Sequence, residues 1–380
     1  MEERRVCGKE KSFACVRFAY SVRLSLRLYA ASLSFGKRNC RLSGKTVCGR
    51  YEKEFLWADV VLFIRNDSEE ELWLAKQCRA AGKYLIYVLD DDLLHVPGYI
   101  SSSRHYENPL VLKRIESMMQ VCDCFASPSD KLIEKYKERF SHTFRIAEPS
   151  LAQIHEKKPH ADGKVHIGFA GSVDRKKDVD DILGEVLEEI LSKYNGRVCV
   201  EIFGPETEFS KKHGIKTYPY ADDYMEYQAL MRKINWDIGL APMPNSPFHQ
   251  CKHYNKLIEY AGFGIAGVYS AVLPYAGVIE NGVNGMICEN TKSAWVAAIS
   301  ELIENADLRK YIQAQCVHLA KDKFSLENTA AQFQEELLSC PVGSSFRSSM
   351  HFFSIRRCMV RCADFIRRVR RAVLRRIVLK

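Results

Sequence analysis

No stretch of about 18 apolar residues occurs in this chain, so no helix is expected to cross a membrane. The apolar-rich segment Phe13–Phe35 is broken by Arg17, Arg23 and Arg27, which argues against a secretory leader with its uncharged middle. The 14 cysteines include no CxxC pair and no metal-ligand spacing; Cys122 and Cys124 merely stand two apart. They are expected to be reduced and mostly buried in a cytosolic protein, with no zinc site. Internal repeats are missing, and so are low-complexity tracts apart from an arginine-rich end.

What is present is enough apolar material for two cores. The chain has 380 residues, 47% of them hydrophobic and 27% charged, which favours two domains. The net charge of +9 is unevenly spread. Residues Met1–Arg50 carry +9 and Ser345–Lys380 carry +10, which leaves −10 on the body between them. A nucleic-acid-binding fold would hold its basic surface on that body, so nucleic acid is excluded as a partner. From Met350 onward, apolar residues such as Phe352, Phe353, Phe365 and Ile366 recur at roughly helical intervals among ten basic ones. A helix of this kind lies in a membrane interface with its arginines among anionic headgroups. A disordered basic tail is the alternative.

Strand and helix patterns alternate along the body. The first series has apolar runs at Val60–Arg65, Tyr84–Asp91 and Cys124–Ser127, with helical periodicity at Glu69–Ala81, Leu110–Gln120 and Lys131–Phe140. A polar segment up to Lys164 reads as a linker. The second series has strands at Val165–Ala170, Val198–Phe203, Asp237–Ala241, Gly267–Ser270 and Met286–Cys288. Its helices are Asp178–Lys193, Tyr224–Ile234 and His253–Gly262, followed by Lys292–Ile303, Asp307–Lys321 and Leu326–Leu338. Such alternation makes βαβ units and parallel sheets. The expected architecture is α/β: two doubly wound, Rossmann-like domains at 1–150 and 165–340, a linker at 151–164, and a basic amphipathic tail at 345–380. Ligands of such sheets bind beyond the carboxyl ends of the strands, here in the cleft between the domains.

One segment carries the chemistry. Lys252, Lys256 and Glu259 are spaced by 4 and 3, which predicts one shared face of a single helix. Two cations and a carboxylate there suit a ligand with both phosphates and ribose hydroxyls, that is, a nucleotide-sugar. Gly171 and Ser172, then Arg175 and Lys176 (or Lys177), follow the first strand of the second series. A glycine there lets backbone N–H groups approach a phosphate. A solvated helix face and a plain strand-to-helix turn are the bland readings of these two motifs.

In order along the chain, IGFAGSVDRKKD, EIFG, DIGLAPMPNSPF, KHYNKLIEYAGFGIAG and PYAGVIENGVNGMI resemble the donor half of a retaining GT-B glycosyltransferase of the family-4-like kind. FSLENTAAQFQEELL matches its closing helix, and ADVVLFIRN, AGKYLIYVLDDDL and CDCFASPS resemble the acceptor half of bacterial polysaccharide and lipopolysaccharide transferases. The resemblance spans roughly Leu56–Leu338. It implies that Arg175, Lys176 and Lys252, with Lys256 beside them, hold the donor diphosphate, with Glu259 on the ribose hydroxyls. Gly171, Ser172, Gly204, Pro274 and Tyr275 would shape the donor site, and free N–H groups of the short helix after Pro274 would add to phosphate binding. It further implies transfer of a sugar, with retention and without a metal or other cofactor, to a glycan or lipid-linked acceptor. The enzyme would sit on the cytosolic face of the membrane.

Three departures stand out. Cys251 occupies the place of the family's first glutamate, eight residues before the ribose one. Ala266 stands where proline is common. No first strand with a Gly-rich loop is recognisable before Cys40, and Cys15–Phe35 resembles the helix after it. Two alternatives follow: a non-catalytic nucleotide-sugar-binding protein, and a GT-B-like epimerase of the nucleotide-sugar. The triplet Asp90–Asp92 suggests a cap, acceptor binding by Asp91 and Asp92, or the metal-binding DxD of another glycosyltransferase fold, which tandem α/β series argue against. His249 and His253 are expected to be solvated loop residues, with a phosphate contact by either as the alternative, and Cys251 a small apolar filler.

Overall fold

The computed structural model describes Phe13–Cys15 and residues 58–340, except 153, 155, 156 and 222. The basic tail and most of the segment before Leu56 lie outside the described residues, and the readings placed on them do too.

The first half forms a five-stranded parallel sheet in sequence order: β1 (Phe13–Cys15), β2 (Val60–Ile64), β3 (Tyr84–Val88), β4 (Cys124–Ser127) and β5 (His142–Arg145). Strand β1 pairs with β2 from Phe13↔Val60 to Cys15↔Leu62, so a strand precedes Cys40 after all and Cys15 belongs to it, not to a helix. The runs VVLFI, YLIYV and CFAS are buried throughout, as strands covered on both faces must be. Helix α1 (Glu69–Ala80) starts where Ser68 and Glu71 cap each other reciprocally. The other helices among the described residues of this half are α2 (Ser103–Tyr106), α3 (Pro109–Val121) and α4 (Asp130–Tyr136). Strand β5 has no apolar run, because it is an edge strand with one fully buried residue, Phe144.

The second half forms a six-stranded parallel sheet. Its strands are β6 (Val165–Ala170), β7 (Val198–Phe203), β8 (Lys216–Tyr218), β9 (Ile238–Ala241), β10 (Ala266–Ser270) and β11 (Met286–Cys288), in the order β11-β10-β9-β6-β7-β8. The chain leaves β6 for β7 on one side and later returns as β9 on the other. The carboxyl ends of β6 and β9 therefore flank the topological switch point, where such sheets leave a crevice. The helices are α5 (Lys176–Lys193), α6 (Glu208–His213), α7 (Tyr224–Ile234), α8 (Pro247–Gln250), α9 (Asn255–Phe263), α10 (Lys292–Glu304), α11 (Ala306–Lys321) and α12 (Leu326–Ser339).

Two segments of the second half join the first. The inner face of α12 buries Ala330, Phe333 and Leu337 against Leu62, Ile86 and Phe144 of the first sheet. Cys251, just after α8, is buried in the other first-half cluster with Leu93 and Tyr136. The two sheets are thus clamped at two places, and the space between their carboxyl edges is the cleft.

Candidate functional site

A cavity of about 590 Å³ lies between the two halves. Arg65, Asp90, Asp91 and Glu148 line it from the first half, and Gly171, Arg175, Lys252 and Glu259 are among its walls from the second. The loop after β6 forms one edge. Gly171 N–H donates to Phe203 O at 3.0 Å, and Gly204 has φ +108°, a region open to glycine alone at low cost. A Cβ on Gly204 would sit 1.8 Å from Gly171 O, so the two loops touch backbone to backbone. Gly204 shapes the site from behind and does not line it.

The basic residues part ways. Arg175 is held at the cavity wall: Nη2 donates to Pro242 O at 2.5 Å, and Nε lies 3.2 Å from Asp178 Oδ2. Lys176 begins α5 on the outside, where its Nζ pairs with Glu208 at 2.6 Å, and it does not line the cavity. Lys177 is likewise outside, 2.7 Å from Asp181.

Lys252 does not share a helix with Lys256 and Glu259. Ser246 caps the one-turn helix α8, with Pro247 in its first position. That helix stops at Cys251, and α9 begins only at Asn255 because Tyr254 takes a non-helical conformation (ψ 44°). Lys252 sits in the turn between them and reaches the other half, with Nζ 2.9 Å from Asp91 Oδ1. Arg65 Nη1 lies 3.2 Å from Asp91 and 2.8 Å from Asp90. Burial pushes the Asp91 carboxyl up, but Lys252 and Arg65 outweigh it and hold it below its ordinary value. Lys256 and Glu259 do share a helix face and line the cavity together, 2.8 Å apart. The Tyr227 hydroxyl also donates to Glu259.

The other predicted positions divide in the same way. Ser172 and Tyr275 line the cavity; Pro274 only opens a three-residue 3₁₀ turn, whose Ala276 N–H already donates to Val272 O at 3.0 Å. Asp92 is buried away from the cleft, where it accepts from Lys135 and Tyr136 at 2.5 Å each and lies 3.1 Å from His95. It ties α4 to the end of β3. Its carboxyl, raised by burial, is brought below its ordinary value by these bonds.

Neither histidine beside Lys252 is solvated. His249 Nδ1 is 2.8 Å from Ser246 Oγ, and its Nε2 is 3.1 Å from the hydroxyl of Tyr99 in the first half. Tyr99 also donates to Asp178 at 3.3 Å, and Ser101 N–H donates to Asp174 at 2.8 Å, so this loop latches the two halves together. His253 is buried and lines the cavity, beside Glu148 at 4.0 Å. Burial first, then Arg145, drives the His253 imidazole down to about 3. Burial, then the Asp90 charge, pushes Glu148 up to about 8, with Arg145 opposing. Glu148 belongs to no motif in the sequence, and the edge strand it follows has no apolar run to point to it. Tyr220, Tyr224 and Tyr227 form an aromatic wall; their spacing of 4 and 3 was the signal available for them.

Among the described residues one group has metal-ligand chemistry, His166, Cys199 and Glu201, whose ligand atoms lie within 4.8 Å of one another. It is outside the cavity lining, and Glu201 already accepts from Trp236 at 3.0 Å and Tyr218 at 2.7 Å.

No family model matches the chain, and no curated protein matches it. Solved structures do. HepE of Anabaena, in complex with UDP and glucose, is similar with TM-score 0.60 and 13% identity, over 87% of this chain and 100% of that one. Sucrose-phosphate synthase from Thermosynechococcus elongatus gives TM-score 0.63 and 13% identity, over 87% of this chain and 98% of that one. The lipopolysaccharide outer core galactosyltransferase WaaB gives TM-score 0.55 and 13% identity, over 86% and 99%. The chain therefore has the GT-B fold, two parallel-sheet α/β domains facing each other across a cleft.

Proposed function

We propose that this cleft binds a nucleotide-sugar and transfers its sugar to a glycan or lipid-linked acceptor, with retention of configuration and without a metal. The observation that carries the reading is the convergence of Arg175, Lys256 and Lys252 on one cavity at the switch point of the second sheet, with Glu259 among them. Fixed cations stabilise a departing diphosphate without reorganising as charge develops. Arg175 is already oriented by Pro242 O and Asp178. Lys252 rests on Asp91, and a diphosphate would compete with that carboxylate for it. The Glu259 carboxylate would accept from ribose hydroxyls once Lys256 turns to phosphate. Domain closure would keep water from the donor. The UDP in the HepE structure and the galactosyltransferase name of WaaB support a nucleotide-sugar donor and a glycan acceptor.

Thermal shift against a panel of nucleoside diphosphates and their sugars tests this, since a ligand stabilises in proportion to the logarithm of concentration over Kd. One donor is expected to stand out, and Lys252→Ala and Glu259→Ala are each expected to abolish its shift. An unchanged shift in both variants removes the site assignment.

Cys251 favours a second reading, a nucleotide-sugar-binding protein without turnover. At the place of the family's first glutamate, this side chain is buried in apolar packing. Release of nucleoside diphosphate in the presence of an acceptor separates the two, and donor binding without release supports the second. Conversion of the bound sugar with no acceptor present is what an epimerase would give instead.

The basic tail would bring the enzyme to the anionic, cytosolic face of a membrane and to lipid-linked acceptors, each basic residue contributing about 1 kcal/mol near such a surface. Deleting Met350–Lys380 is expected to release the protein from anionic liposomes. Persistent binding would put the address elsewhere.

A further inference from the structure

The cavity has one wall that the phosphate and ribose assignments leave unused. Glu148, Ser150 and His253 all line it, where the linker from the first domain passes the start of α9. His253 is 6% exposed, and its Nε2 has no hydrogen-bond partner. Ser150 Oγ is buried and also without a partner. Such atoms are costly to leave unpaired.

The hydrogen-bond chemistry of this wall is specific. His253 Nδ1 lies 3.1 Å from Asn255 Oδ1; with the proton on Nδ1 that contact is a hydrogen bond and Nε2 is an acceptor. Burial favours the protonated, donating form of Glu148, and the neutral form of His253. An uncharged acid and an uncharged imidazole on one wall match hydroxyl groups, each of which gives one hydrogen bond and takes another. They do not match a phosphate. The wall also lies toward the first domain, next to Asp90 and Asp91, whereas Arg175, Lys256 and Glu259 belong to the second.

We propose that Glu148, Ser150 and His253 form the subsite for the transferred sugar and select an uncharged, hydroxylated ring. This rests on the nucleotide-sugar reading of the cleft. A sugar carrying a carboxylate would meet the Asp90 and Asp91 carboxylates in a desolvated corner, where like charges repel strongly.

The test compares binding of UDP, UDP-glucose and UDP-glucuronate, and of GDP and GDP-mannose, to the full chain by calorimetry. The wild type is expected to bind the neutral nucleotide-sugar more tightly than its nucleoside diphosphate, and UDP-glucuronate no more tightly than UDP. Glu148→Ala and His253→Ala are each expected to cost about ten-fold in affinity for the neutral nucleotide-sugar, the scale of one lost buried hydrogen bond. Affinity for the nucleoside diphosphate should stay within about two-fold, which also shows that the variants fold. Glu148→Gln, the isostere of the protonated acid, should retain binding.

Unchanged affinity for the nucleotide-sugar in both alanine variants overturns the proposal. An equal loss for the diphosphate and its sugar overturns it too, because the wall would then serve the nucleotide. A wild type that binds none of the five probes overturns the nucleotide-sugar reading itself, and this inference with it.

Discussion

At the scale of the residue, burial decides what the ionisable groups of the cleft do. Asp91 stays ionised because Lys252 and Arg65 outweigh its desolvation, whereas Glu148 has no comparable cation and is pushed up to about 8. The sign of the consequence follows from linkage. Between the ordinary glutamate value and about 8, the unfolded chain has released this proton and the folded chain still holds it. Glu148 therefore costs stability increasingly as pH rises through that window. Glu148→Gln is expected to be near neutral at about pH 5 and stabilising, by a few kcal/mol, at about pH 8. Unfolding midpoints of variant and wild type at the two pH values check this, and an identical pH dependence would contradict it. The comparison isolates Glu148, since Asp90, Arg145 and His253 remain in both proteins.

At the scale of the element, continuous apolar runs were legible and short polar ones were not. Strands β6 and β7 lie where their apolar residues predict, because strands covered on both faces have no choice of residue type; the edge strand β11 was legible from its short apolar run MIC. The edge strands β5 and β8 escaped, since half-exposed residues carry little pattern. The break between α8 and α9 escaped for another reason. Spacings of 4 and 3 are compatible with a helix but do not require one, and Ser246-Pro247 was an unread start signal. Loop contact is the decisive feature around Gly204. Its positive φ and the approach to Gly171 leave no room for a side chain. Gly204→Ala is expected to cost about 1–3 kcal/mol in backbone strain alone and to weaken nucleotide binding by parting the two loops. Normal thermal stability together with a normal ligand-induced shift would show that the loops need not touch.

At the scale of the whole molecule, the two domains are held together by α12 and by a few cross-cleft contacts. Phe333 is 1% exposed, and its ring centroid lies 6.3 Å from that of Phe144 in the first sheet. Phe333→Ala is expected to lower stability by about 3–5 kcal/mol and to free α12 for proteolysis. A variant with an unchanged unfolding midpoint and an intact α12 would place the clamp elsewhere. The Tyr99 contacts to His249 and Asp178 cross between domains, as does Lys252–Asp91, so the cleft is both a site and a joint.

The sequence by itself determined the alternation of strands and helices, hence two parallel sheets, and the basic residues near the carboxyl ends of strands. These are local properties, written in runs of residue type. Only the tertiary structure decided which cations face the cleft. Arg175 and Lys176 are neighbours in sequence, yet one lines the cavity and the other pairs with Glu208 outside. Glu148 and His253 are far apart in the chain and meet only when the linker passes the start of α9. A side chain's direction and its loss of water depend on partners distant in sequence, and no local pattern encodes those.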